Sequence, residues 1–225
     1  MSSELPLRFI DVKVDATAQF SYSFDVPPHR CVAVAGDGKS GVDKLGEIAL
    51  GLTRPVDGTA LIYDEDLSMM NDSAALAFRR RVGYLPANDG LMQNLPLGSN
   101  IALPLRFGSA YTESEINGRV GVIMAALRVG DYAGKRPAQV SEEIRRRAAV
   151  ARALAFDPQL VILEQPFDGI TTRCALELLQ IVRGGEVSDG SRRSVLILGQ
   201  YLPDQVTTLV DLKYRAAKGE FIVEP

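Results

Sequence analysis

The sequence predicts an α/β fold in which a helical block interrupts an α/β core and an antiparallel β unit precedes it. Three observations carry this. Apolar runs at 30–35, 82–85, 159–163 and 194–198 have the length and composition of buried strands. The first of them feeds a glycine-bracketed loop, Gly36 to Gly41, that opens a helix. From 87 to 140 the pattern is mostly helical, so the strand–loop–helix units flank an insertion. With 225 residues, 46% of them hydrophobic and 24% charged, the chain suits one large globular domain.

In chain order, residues 7–14 and 19–26 alternate as antiparallel strands around a turn near Asp15-Ala16. Strand 30–35 enters the loop, and a helix runs over 42–50 with Gly51 as its stop. Pro55-Val56-Asp57-Gly58 turns the chain into strand 59–63. Residues 73–81 form a helix capped by Asp72 or Ser73, and Pro86 ends strand 82–85. Thr112-Glu113-Ser114-Glu115 starts one helix of the central block. A further helix over 141–156 ends before Asp157-Pro158, and strands 159–163, 194–198, 209–214 and 220–223 complete the chain. The expected partition is a core of 1–86 and 156–225, including the antiparallel β subdomain, around a helical subdomain of about 87–155.

Composition narrows the function. A net charge of −3 gives no field that would hold nucleic acid. No apolar run reaches the roughly 18 residues that span a bilayer. Met1-Ser2-Ser3-Glu4 has no signal-peptide pattern. Cys31 and Cys174 lack metal-ligand spacing and are expected to be reduced thiols in a cytoplasmic protein. His29, the only histidine, sits in a Pro-Pro-His turn, and one histidine makes no catalytic constellation.

The loop resembles a phosphate-binding loop, G-x-x-x-x-G-K-[ST], without its chemistry. Gly36, Asp37, Gly38, Lys39, Ser40 and Gly41 supply the frame, but Val42 stands at the lysine position and Asp43 at the hydroxyl position. Gly38-Lys39-Ser40 is a decoy. Making Lys39 the working lysine would put the opening glycine at Ala33, still inside the strand.

The order of features resembles an ABC-transporter nucleotide-binding domain over nearly the whole chain, which implies a P-loop NTPase-like (RecA-like) core. Arg80-Arg81-Val82-Gly83-Tyr84-Leu85-Pro86 resembles the strand before the family's Q-loop. Residues 147–158 resemble the helix after its signature motif, and Leu160-Val161-Ile162-Leu163-Glu164-Gln165-Pro166-Phe167 resembles its Walker B strand. The segment 90–106, with Asn100-Ile101-Ala102-Leu103-Pro104-Leu105, and Phe167 after Pro166 look like the ATPases of Mla-type (maintenance of lipid asymmetry) phospholipid transporters. Lipoprotein-releasing ATPases share part of that likeness.

By that resemblance, every catalytic position has changed. The Q-loop glutamine falls on Ala87, the signature Leu-Ser-Gly-Gly-Gln on Val140-Ser141-Glu142-Glu143-Ile144, and the D-loop aspartate on Thr171. Walker B ends in Glu164-Gln165 in place of Asp-Glu, and the switch histidine falls on Gln200. Glu164 would hold a metal only from a longer arm, and Gln165 is no base at neutral pH. Ser141 still makes a helix N-cap, and Glu142 and Glu143 favour the first turn of that helix where glycines would admit a phosphate. Arg145, Arg146 and Arg147 read as a solvated helix face with local Glu–Arg pairs. Tyr22 and Phe20 read as packing, not as an adenine platform.

The resemblance implies a degenerate subunit docked on an integral-membrane permease at the inner face of the membrane. It would pair with a second copy or with another ABC ATPase. ATP and Mg²⁺ are implied only if nucleotide binding survives. Two alternatives stand beside this: an active ATPase using displaced residues such as Lys39 and Glu164, and a nucleotide sensor without turnover.

Overall fold

The computed structural model describes residues 5–184, 192–217 and 219–224. The strands in chain order are β1 (Leu7–Lys13), β2 (Tyr22–Val26), β3 (Cys31–Gly36), β4 (Asp57–Leu61), β5 (Val82–Leu85), β6 (Leu160–Glu164), β7 (Ser194–Gly199), β8 (Leu212–Ala217) and β9 (Glu220–Glu224). The helices are α1 (Leu45–Ala49), α2 (Asp72–Arg79), α3 (Leu97–Gly108), α4 (Glu113–Ala126), α5 (Glu142–Ala153), α6 (Thr172–Arg183) and α7 (Asp204–Thr207).

Two sheets result. One is antiparallel, in the order β2-β1-β4; the other runs β5-β6-β7-β3-β8-β9, parallel except for the closing β8–β9 hairpin. The central strands are apolar on both faces because helices or the small sheet cover both. All five residues of β6 are buried, as the continuous run Leu160-Val161-Ile162-Leu163 requires. Outer strands instead alternate. In β1, Leu7 and Phe9 face inward, and the pairing then slips between Phe9 and Val12 where Asp11 takes φ +48°. Phe9 stacks on Phe24 at 4.7 Å, and Phe24 meets Tyr214 at 5.3 Å and Phe221 at 5.6 Å, so aromatic rings join the small sheet to β8 and β9.

Several boundaries differ from the sequence reading. Residues 42–44 form a 3-10 turn before α1, because Gly41 at φ +76° swings the chain into the helix. Helix α2 is capped by Asn71, whose side chain accepts from the Ala74 N–H, and not by Asp72 or Ser73. The strand expected at 209–214 begins at Leu212. Its first residues instead finish the turn after α7, and Asp211 accepts from the Cys31 N–H at 2.7 Å. The sequence reading places no helix at 172–183, yet in α6 Cys174, Ala175, Leu178, Leu179 and Val182 bury one face at helical spacing behind the Thr171 cap. Thr112 caps α4 in a capping box with Glu115, as its sequence implies.

The non-helical stretch before α3 is held by Asn100, which is fully buried. Its Oδ1 accepts from the Met92 N–H at 2.7 Å, and its amide donates toward the carbonyls of Met92, Leu95 and Pro96. Asn100→Ala strands these groups, so urea unfolding should show a loss of about 2–4 kcal/mol. An unchanged midpoint would refute that role.

Candidate functional site

β3 ends at Gly36, and the chain turns through residues 37–41 into the 3-10 turn. A phosphate-binding loop presents free N–H groups to its ligand. Here most are spent on the protein itself. The Asp37 N–H donates to the Ala216 carbonyl, the Lys39 N–H to Asp37 Oδ1 at 3.0 Å, and the Ser40 N–H to the Asp37 carbonyl at 3.1 Å. The Val42 N–H reaches Ser40 Oγ at 3.4 Å, and the Lys44 N–H donates to the Gly41 carbonyl. Tyr22, fully buried, donates its hydroxyl to the Ser40 carbonyl at 2.8 Å and clamps the loop from the small sheet. Its phenol is pushed upward by burial. Ser40 and Val42 are themselves buried and lie over Gly36, where any Cβ would collide with both.

Next to this loop is a cavity of about 110 Å³ lined by Gly36, Asp37, Gly38, Val42, Asp43, Ala87, Glu164, Gln165, Leu198, Gly199 and Gln200. Positions far apart in sequence thus converge. Lys39, Ser40 and Gly41 border an adjoining groove of about 630 Å³ with Asp15, Phe20 and Lys44, which shares Asp37, Gly38 and Asp43 with the cavity. The smaller cavity carries three carboxyl groups and no lysine or arginine. Lys44 turns away and pairs with Asp15 at 2.8 Å. That pairing holds the Asp15 carboxyl well below the usual range.

Glu164 is 6% exposed. Its Oε1 accepts from the Tyr84 hydroxyl at 2.9 Å and its Oε2 from the Ala87 N–H at 3.3 Å. Burial pushes this carboxyl up, against the pull of those two hydrogen bonds. Tyr84 is pushed up as well, by burial first and then by Glu164. The Glu164 side chain therefore ties β6 to β5 and to the loop after it. Among the described residues no cluster of three or more metal-ligating side chains forms. Gln165 takes φ +44°, a strained backbone for a non-glycine residue, while its N–H donates to the Leu198 carbonyl at 2.7 Å.

Ser141, Glu142 and Glu143 lie outside both hollows. Ser141 caps α5 by accepting from the Ile144 N–H. The arginines that follow correct the sequence reading in part. Arg145 and Arg146 do pair locally with Glu142, but Arg146 and Arg147 are 4% and 8% exposed and form no solvated face. They are buried because α3 and α6 pack on this helix. Arg146 points to the Ala87 carbonyl at 3.4 Å, and Arg147 pairs with Glu177 of α6 at 2.7 Å. Sequence reasoning also missed Tyr84 and Asp89. Asp89, buried at φ +58°, pairs with Arg145 at 2.8 Å.

Residues 20–168 match the family described as "ABC transporter". The chain belongs to the ABC transporter family. Its fold agrees. The ATP-binding cassette MJ0796, solved as a post-hydrolysis dimer bound to ADP and Pi, superposes with a TM-score of 0.82 at 20% identity, covering 97% of each chain. At that identity the likeness shows the ABC ATPase fold alone. The methionine import ATP-binding protein MetN of Xanthomonas campestris pv. campestris (strain 8004) is 29% identical over 157 residues, 70% of this chain and 47% of MetN. The sulfate/thiosulfate import ATP-binding protein CysA of Xylella fastidiosa (strain 9a5c) is 31% identical over 172 residues, 75% of this chain and 48% of CysA. The chain spans about half the length of the curated relatives it matches. These relatives are named for import of small solutes, not lipids. No helix among the described residues is long and apolar enough to cross a membrane.

Proposed function

We propose that this ABC transporter domain is a catalytically degenerate subunit that holds a membrane permease without turning over ATP. The self-bonded loop beside a carboxyl-lined cavity carries the reading. An anionic triphosphate would meet Asp37, Asp43 and Glu164 there, with Val42 in place of an ammonium group. The positions carried over from the family, Ala87, Gln165 and Gln200, supply neither base nor cation. Ser141, Glu142 and Glu143 supply no glycine clamp. If nucleotide binds, Asp43 or Glu164 would be left to hold Mg²⁺, and both oxygens of Glu164 already have partners.

A groove of about 320 Å³ between the core and α3 supports docking. Leu76, Tyr84, Pro104, Phe107 and Phe156 line it, with Phe107 81% exposed. Such an apolar cleft fits a short permease helix. The partition into core and inserted helical subdomain, 1–86 with 156–225 around 87–155, belongs to this proposal. So do a homodimeric or heterodimeric assembly and a place at the inner membrane face. Lipid as the cargo rests on the Mla-type likeness of 90–106, while import of a small solute rests on the MetN and CysA likeness.

The active-ATPase alternative would need Lys39 to reach from the adjoining outer groove, which shares Asp37, Gly38 and Asp43 with the inner cavity, to the side where Glu164 lies. The test of docking is affinity capture from detergent-solubilised membranes. Wild type should retrieve an integral-membrane permease, and Phe107→Ser should lose it at least about tenfold while keeping its melting point. Equal capture by both, or retrieval of no permease, would refute the docking role.

A further inference from the structure

We infer that Glu143 and Thr171 form an intrachain clasp that fastens the helical block α3–α5 to the core, so that the two move as one body. The residue that stands where the family keeps a glycine reaches the residue that stands where it keeps an aspartate. Glu143 Oε1 accepts from the Thr171 N–H at 3.0 Å and from the Thr171 hydroxyl. Thr171 Oγ1 in turn caps α6 by accepting from the Cys174 N–H at 3.3 Å. One carboxylate thus sits at the first turns of both α5 and α6, where the two helix dipoles favour it.

Two further contacts point the same way. Gly169 takes φ +72°, and a Cβ there would stand 2.9 Å from Glu142 Cγ, so the loop before α6 passes closely under the start of α5. One turn along α5, Arg147 pairs with Glu177 of α6 at 2.7 Å, and Arg128, just after α4, approaches the same carboxylate at 3.6 Å. The opposite side of α5 is fastened too. Arg145 pairs with Asp89, and Arg152 donates to the Asp89 and Gly90 carbonyls. α5 is therefore bridged on one side to the core, through the loop between β6 and α6 and through α6 itself, and on the other to the loop by which the chain leaves β5 for the helical block. The inference rests on contacts within one chain and stands whether or not ATP binds.

Spin-label distances test it in the full chain carrying Gly121→Cys on α4 and Glu220→Cys on β9, both exposed, with the native cysteines buried. Wild type should give one narrow distance distribution. Glu143→Ala should broaden it at least about twofold, and Glu143→Gln, which still accepts from Thr171, should keep it narrow. Arg173→Ala, which removes an exposed member of the Glu177 cluster, should leave it narrow. A broad or bimodal wild-type distribution, or a Glu143→Ala distribution as narrow as wild type, would overturn the clasp.

Discussion

Titrated with ATP at millimolar concentration and with Mg²⁺, the protein is expected to give no saturable binding heat. Its phosphate release should stay at least about 10³-fold below that of a domain with an intact lysine, base and clamp. One lost transition-state donor costs about 10²–10³ in rate, and such losses do not add simply. The expected absence of binding has a separate cause. A P-loop binds through N–H groups aimed at the ligand, and those of Asp37, Lys39, Ser40 and Val42 already have acceptors. Opening the loop would also break the Tyr22 bond to the Ser40 carbonyl. The double substitution Val42→Lys with Asp43→Ser separates the two effects. It replaces an apolar wall with a cation and removes one of the three carboxyl groups of the inner cavity. That variant should gain measurable affinity and still fail to turn over, because Gln165 offers no base. Saturable binding by wild type would contradict the empty-site reading, and turnover that disappears in Lys39→Ala would revive the displaced-residue mechanism.

The fold was legible because its signals are local. A four- or five-residue apolar run, a glycine turn or a capping threonine reads within a window of about ten residues. So the loop, α4 and the positions of the central strands along the chain followed from sequence, while their order in the sheet did not. What stayed hidden depends on partners far along the chain. Nothing near Glu164 shows that Tyr84, eighty positions away, will hold its carboxyl. Three adjacent arginines look like a wet helix face until α6 arrives with Glu177 to bury Arg147. Helix α6 carries both local signals, an apolar stripe and a threonine cap, and lies between the family landmarks of the Walker B-like strand and Gln200. That Val42, Ala87, Gln165 and Gln200 line one cavity is shown by the structure, since no periodicity predicts it and the resemblance named these positions only one by one.

Gly46→Ala should destabilise the protein by about 2 kcal/mol in urea unfolding, although alanine in a helix is ordinarily favoured over glycine by about 1 kcal/mol. The reason is Glu164. A Cβ at position 46 collides with its Oε1 and comes within 3.2 Å of its Cδ and 3.1 Å of Tyr84 Cε2. The carboxyl cannot swing aside without giving up the Tyr84 hydroxyl and the Ala87 N–H. Glu164→Asp alone shortens the arm and loses those bonds, at about 1–3 kcal/mol. In the double variant the shorter aspartate leaves room for the new methyl, so the combined loss should fall at least about 1 kcal/mol short of the sum. Strict additivity, or a neutral Gly46→Ala, would mean that Glu164 does not fill this space. The pH dependence gives an independent check. Burial raises the folded Glu164 carboxyl above its unfolded value, so the folded state keeps its proton where the unfolded state has lost it. Its contribution to stability is therefore full below the ordinary glutamate range and is lost as pH rises from there through the raised folded value. Glu164→Gln, uncharged and similar in length, should remove that part of the pH dependence, and an unchanged profile would show that the carboxyl is not buried as described. Both outcomes bear on the proposed function, because a Glu164 carboxyl held by Tyr84, Ala87 and Gly46 would have to give up those contacts to swing toward a metal.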